Sequence, residues 1–171
     1  MIQPQSIIVT DTSLLINFLV IDRIGLLHGC GHTIYVTDHV LSEVTAHYPE
    51  QIARLQNAIK SGMLQQISVT EVKEIELFQQ LTKTGRLGVG ECSAIAVAVH
   101  RGFVLAIDDK RAKRHASSMH KHLRIIGTQE FMVMIIRAGL LDVPAADAIK
   151  SEWATRHSFI LKIASFADLL Q

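Results

Sequence analysis

Cysteine is nearly absent from this 171-residue chain: Cys30 and Cys92 are the only two. Two thiols cannot build a disulfide framework or a four-ligand zinc site, and their scarcity suits a reduced, cytoplasmic setting. Proline (3) and glycine (10) are sparse while 49% of residues are hydrophobic, which excludes disordered, collagenous and low-complexity chains. Long apolar runs are missing too. No uncharged stretch reaches the ~20 residues of a membrane span; Glu130 and Arg137 bracket the most apolar late segment. Residues 1–13 have no basic start and their apolar run stops at Asp11, so no signal peptide is expected. No linker or repeat divides the chain, and its length suits one domain across residues 1–171.

Charge is balanced overall, with 17 basic and 16 acidic residues, but not along the chain. Lys110, Arg111, Lys113, Arg114, Lys121 and Arg124 fall close together, and no acid lies between Lys110 and Gln129. Outside that segment acids outnumber bases, so the protein is acidic with one basic stripe. Such a stripe is either a solvated helix face or a track for phosphate backbones.

Short β-branched runs alternate with helical periodicity. Strands are expected at 6–10, 34–37, 64–69, 103–107 and 123–127. Helices are expected at 13–28, 39–48 after a capping Asp38, 50–62, the segment after a capping Thr70, 91–101 closed by Gly102, 110–122, 128–138 and 144–156. Strands separated by helices imply crossovers and a central parallel sheet of about five strands, a three-layer α/β/α sandwich.

In such a sheet ligands bind beyond the carboxyl ends of the strands. Asp11 follows the first strand, and Asp108 and Asp109 follow the strongest one. Glu43 lies one turn into the helix after the second strand, and Glu91 opens the helix beside Gly88 and Gly90, whose lack of side chains lets another molecule come close. Each acid has an ordinary reading as cap, dipole partner or solvated residue. Together they can converge on one edge. A carboxylate cluster costs stability unless a cation occupies it, and oxygen donors suit Mg2+ or Mn2+. Zinc is disfavoured, because His115, His120 and His122 do not share one helical face and no Cys is near. Ser13 and Ser93 lack the turn of a nucleophile elbow, and no P-loop or dinucleotide fingerprint follows a strand.

Asp11-Thr12-Ser13 after an opening strand, Glu43 in LSEV, Gly90-Glu91 in GVGECSAIAVA, VLAIDDKRAKR and Ile125-Ile126-Gly127-Thr128 together resemble the PIN-domain nucleases, most closely their toxin-like branch. The resemblance spans about 6–141 and leaves 142–171 as a helical extension. It implies the five-stranded sandwich and Mg2+- or Mn2+-dependent cleavage of RNA, leaving a 5′-phosphate and a 3′-hydroxyl. By position, Asp11, Glu91 and Asp109 would hold the metal and Glu43 would complete the acidic pocket. Thr12 or Ser13 would orient a carboxylate or a water, and Asp108 is the alternative to Asp109. Many members carry Asp where this chain has Glu91. Lys110, Arg111, Lys113 and Arg114 would guide the RNA, and with aromatics at only 5% recognition would fall on backbone and shape rather than base sequence. The implied partners are RNA, a small antitoxin that places a positive charge near the acids, and a second copy in a homodimer, for which the apolar 131–141 segment offers surplus surface. The other reading is a catalytically inactive RNA- or protein-binding scaffold that retains the acids.

Overall fold

The computed structural model describes residues 6–170; the expectation of no leader concerns in part residues 1–5, which lie outside that range. Five parallel strands, β1 (Ile7–Thr10), β2 (Thr33–Thr37), β3 (Gln65–Ile67), β4 (Val104–Ala106) and β5 (Ile125–Ile126), form one sheet in the order β3-β2-β1-β4-β5. Val9 pairs with Tyr35 on one side and Leu105 on the other. The chain therefore builds outward from β1 in one direction, returns, and builds outward in the other. That reversal puts the topological switch point between β1 and β4, where an open α/β sheet has its crevice.

Alternation along the strands feeds two cores. Ile8, Val104 and Ala106 face a layer that includes Phe18, Leu19, Phe131, Trp153 and Phe166. Val9, Leu105 and Ile107 face Leu81, Ile95, Val97, Ala112 and Ala116. The first layer is built from α1 (Thr12–Val20), α2 (Gly25–Gly29), α3 (Asp38–His47), α4 (Ile52–Lys60), α8 (Thr128–Arg137) and α9 (Val143–Arg156). The second uses α5 (Val72–Lys83), α6 (Val89–Arg101) and α7 (Lys110–Met119). The α/β/α sandwich expected from the strand and helix pattern is the observed fold.

Several boundaries differ for physical reasons. The expected helix 13–28 is broken, because Asp22 takes φ 55° and Arg54 Nη1 donates to the last carbonyls of α1, Leu19 (2.8 Å) and Val20 (3.1 Å). Thr37 rather than Asp38 caps α3 by accepting from Val40 N–H (3.2 Å), since the Asp38 carboxylate is engaged by Gln66 and Ser68 across β3. Glu71 rather than Thr70 is the N-cap of α5, and Glu74 reaches back to accept from the N–H groups of Thr70 (3.1 Å) and Glu71 (3.2 Å). The extension after 142 is helical only through α9. Beyond it the chain crosses the first core without regular structure until a 3-10 turn at Phe166–Leu169. Asp147 holds that path by accepting from Ser165 Oγ (2.6 Å) and Phe166 N–H (3.0 Å). Among the described residues, no helix is long and apolar enough to cross a membrane.

Candidate active site

Asp11 leaves β1 at the switch point, its N–H donating to Ala106 O of β4 (3.0 Å). Its carboxylate turns back to cap α1, accepting from Leu14 N–H (2.9 Å) and from the Ser13 hydroxyl. Capping and site membership are therefore not alternatives for this residue. The side chain is 0% exposed. Burial pushes its pKa up to about 7; the Ser13 and Leu14 hydrogen bonds oppose that rise, and the charges of Asp108 and Glu91 add to it.

Glu43 bridges two helix starts. One oxygen accepts from Thr12 Oγ1 (2.5 Å) and the other from Gly90 N–H (2.8 Å). A Cβ on Gly90 would stand 2.5 Å from Glu43 Oε2 and 2.8 Å from Thr12 Oγ1. The space that Gly90 leaves is thus filled by this chain's own carboxylate and hydroxyl, not by another molecule. Glu91 folds back to accept from Gly88 N–H (2.9 Å) at the start of α6. Burial raises its pKa, the Gly88 hydrogen bond lowers it, Asp109 and Glu43 raise it, and Arg111 lowers it. Asp11, Glu43 and Glu91 line a cleft of about 240 Å3 together with Thr12 and Ser13.

The two acids after β4 diverge. Asp108 accepts from Thr128 N–H (2.8 Å), Thr128 Oγ1 (2.5 Å) and Asn17 Nδ2 (3.1 Å), which ties the end of β4 to α8 and α1. Its charge is felt by Asp11. Asp109 caps α7 by accepting from Ala112 N–H (2.8 Å), and its charge is felt by Glu91. Each carboxylate is thus engaged by nearby donors. Among the described residues no three His, Cys, Asp or Glu side chains form a ready-made metal group, and Asp11, Glu91 and Asp109 are no exception. On α7, Lys110, Arg111 and Arg114 are exposed over buried Ala112 and Ala116. Lys113 turns inward: its Nζ, Asp108 Oδ1 and Glu130 Oε2 crowd the space over Gly127, 2.5, 2.8 and 3.0 Å from where a Cβ would stand.

The family model for the PIN domain matches residues 7–156. The chain belongs to the PIN-domain family. Two solved structures are similar to this PIN domain at low identity. VapBC2 from Rickettsia felis, bound to a DNA fragment from its promoter, is 16% identical with a TM-score of 0.46, covering 71% of this chain and 98% of that one. PAE2754 from Pyrobaculum aerophilum is 15% identical with a TM-score of 0.48, covering 80% of this chain and 91% of that one. No curated protein matches the sequence. PIN domains are broadly nucleases that use divalent metals, and the donor set here suits that chemistry. It is all oxygen, and two of its carboxylates have raised pKa values that a nearby cation would lower.

Sequence reading missed three residues of this PIN domain's candidate site. Asn17 is buried, donates to both Asp108 and Thr128 Oγ1 (3.1 Å), and its own carbonyl accepts from Trp153 Nε1 (2.6 Å). Its signal was a lone amide inside the apolar run LLINFLV. His47 and Tyr48 also line the acidic cleft, and His47 stands four residues after Glu43 on one face of α3. A larger cavity, about 940 Å3, lies elsewhere, between β5 and the outer side of α8, and is lined by none of these acids. There Phe131, Met132 and Ile135 are buried in the core while Val133 and Met134 face the cavity.

Proposed function

We propose that this PIN domain is a Mg2+- or Mn2+-dependent endoribonuclease, and that it is the toxin of a toxin–antitoxin pair. The observation that carries the reading is a wholly buried aspartate at the β1–β4 switch point that lines one cleft with Glu43 and Glu91, its pKa raised by burial and by the charges of Asp108 and Glu91. When bound, the divalent ion lowers the pKa of water and offsets charge on the scissile phosphate. Asp11 and Glu91 would supply carboxylate oxygens to it, with Asp108 or Asp109 as the third acid. Ser13 fixes the rotamer of Asp11 by donating to Oδ2. Glu43, satisfied by Thr12 and Gly90, fixes the distance between the starts of α1 and α6 and so the width of the cleft. Arg111, close enough to lower the pKa of Glu91, brings the basic stripe to the acids, and Lys110 and Arg114 extend it along the RNA backbone. Hydrolysis leaves a 5′-phosphate and a 3′-hydroxyl.

The antitoxin and the homodimer belong to the same proposal. A cationic side chain from the antitoxin would satisfy the carboxylates that the ion otherwise satisfies. The deciding experiment incubates labelled single-stranded RNA with protein and Mn2+ or Mg2+. Wild type cleaves and Asp11→Ala does not; equal cleavage by both refutes the assignment. One observation favours the inactive-scaffold reading, namely that every acid already has local donors and no three form a metal group. Calorimetric titration with Mn2+ separates the two, because a scaffold has no use for an ion at the strand ends.

A further inference from the structure

We propose that Tyr48 is a stacking platform for an unpaired nucleobase next to the scissile phosphate. This rests on the ribonuclease reading for the identity of the ligand but not for the binding itself. Tyr48 lines the cleft that holds Asp11, Glu43 and Glu91. It is 40% exposed, whereas the other exposed large hydrophobic residues described (Ile7, Val72, Ile75, Val89, Leu140 and Ile160) are aliphatic. The remaining Phe, Tyr and Trp rings are committed: Phe18, Phe131, Trp153 and Phe166 are fully buried, Phe159 packs on Trp153 (5.6 Å), Phe78 on His39 (4.5 Å), and Tyr35 stacks on Phe103 (5.8 Å). An exposed ring therefore stands where the chemistry is, in a protein with few rings to spend.

Its backbone is fixed. Tyr48 N–H donates to Val44 O (2.8 Å), its carbonyl accepts from Gln51 N–H (2.9 Å), and Pro49 follows directly. A ring held on rigid backbone loses little freedom when a base lies on it. Size points the same way. At about 240 Å3 the cleft is smaller than the ~300–1,000 Å3 that usually encloses an organic ligand. It has room for a phosphate and its waters, so the adjoining base must lie outside, on the rim. Bases inside a duplex are stacked on each other and cannot present a face to a side chain, whereas unpaired ones can be splayed onto it. Arg111 beside Glu91 and the bound ion would attract the phosphate whatever the strand's pairing, so stacking on Tyr48 is the contact that an unpaired base adds close to the cut.

Binding is measured by fluorescence anisotropy in an Asp11→Asn background with Mg2+, using a short labelled RNA as a single strand and as a duplex. Tyr48→Ala weakens single-strand binding about tenfold, within the range measured for one base on one aromatic ring, and leaves duplex binding unchanged. Tyr48→Phe binds as the parent does, because the ring and not the hydroxyl acts. Tyr48→Trp places an exposed indole at the site, and its fluorescence falls as the single strand is added. Unchanged single-strand binding by Tyr48→Ala overturns the proposal, and so does a loss in Tyr48→Phe equal to that in Tyr48→Ala. If wild type cleaves no RNA yet the Tyr48 series behaves as expected, the ribonuclease reading fails and the platform stands. If wild type cleaves and the series is flat, only the platform fails.

Discussion

Among the described residues two side-chain carboxylates are completely shielded from water, Asp11 and Glu74, and their pKa values shift in opposite directions. Burial alone raises both. For Glu74 that effect is outweighed by Arg101, whose Nε lies 2.5 Å from Oε1, and by the N–H groups of Thr70 and Glu71, so its pKa is lowered. For Asp11 no cation answers; two further carboxylates face it instead, and its pKa climbs to about 7. The molecule thus supplies a permanent counter-charge where an acid fastens α5 to α6, and withholds one at the switch point. An uncompensated buried acid is costly, and that cost is sustained where a ligand is to provide the compensation.

The sharpest test of this contrast is Asp11→Asn, which removes the charge and keeps an oxygen to cap α1. Cleavage of RNA in Mn2+ falls by well over ~100-fold, since even outer-shell partners of a metal are worth 10–100-fold. Thermal stability without metal does not fall. Arg101→Ala should do the reverse. It strands Glu74 without its partner, costing roughly 3–5 kcal/mol in chemical denaturation, the usual result of breaking a buried pair, while cleavage at permissive temperature is unchanged.

A smaller effect appears on titration. The folded pKa of Asp11 is raised above its unfolded value of 3.8, so the folded state holds the proton more tightly. Its contribution to stability is fully present below pH 4 and is lost as pH rises towards 7. Glu74, Asp38 and Asp147 have lowered values and act oppositely, gaining as pH rises through the acid range, so the net change in wild type is muted. The difference between wild type and Asp11→Asn isolates the Asp11 part, and added Mn2+ abolishes it. Smallest of the series is Asn17→Ala, which leaves Asp108 with only its Thr128 donors. Loss of one buried hydrogen-bond partner costs about 1–3 kcal/mol, read in thermal melts, together with weaker Mn2+ binding by calorimetry.

Much of this was legible in the chain. β-branched runs ending in acids mark the strand ends, and strand order decides that those ends share a rim. Gly102 closes α6 with φ 67° as expected of a C-terminal glycine. What could not be read depends on partners distant in sequence. The break after α1 needs Arg54; the path after α9 needs Asp147 and Lys150, whose ammonium reaches the carbonyls of Ile163 and Ala164. Gly90 looked like an opening for a ligand because the sequence does not reveal that Glu43 reaches it. Periodicity also hides a polar residue inside an apolar helix, which is why Asn17 passed as part of α1, and it gives no reason to single out a tyrosine just past the end of one.

The missing side chain at Gly127 ties the basic helix to the acidic edge. Because nothing occupies that volume, the Lys113 ammonium and Asp108 Oδ1 both approach it, whereas Arg114, one residue on, is exposed. The cations of α7 are therefore unequal despite their even appearance in the sequence. Neutralising Arg114 alters the approach of a polyanion alone. Neutralising Lys113 also removes positive charge from behind an acid that Asp11 feels, so a charge-by-charge survey of this helix must score metal affinity and RNA affinity separately before any residue is assigned to either.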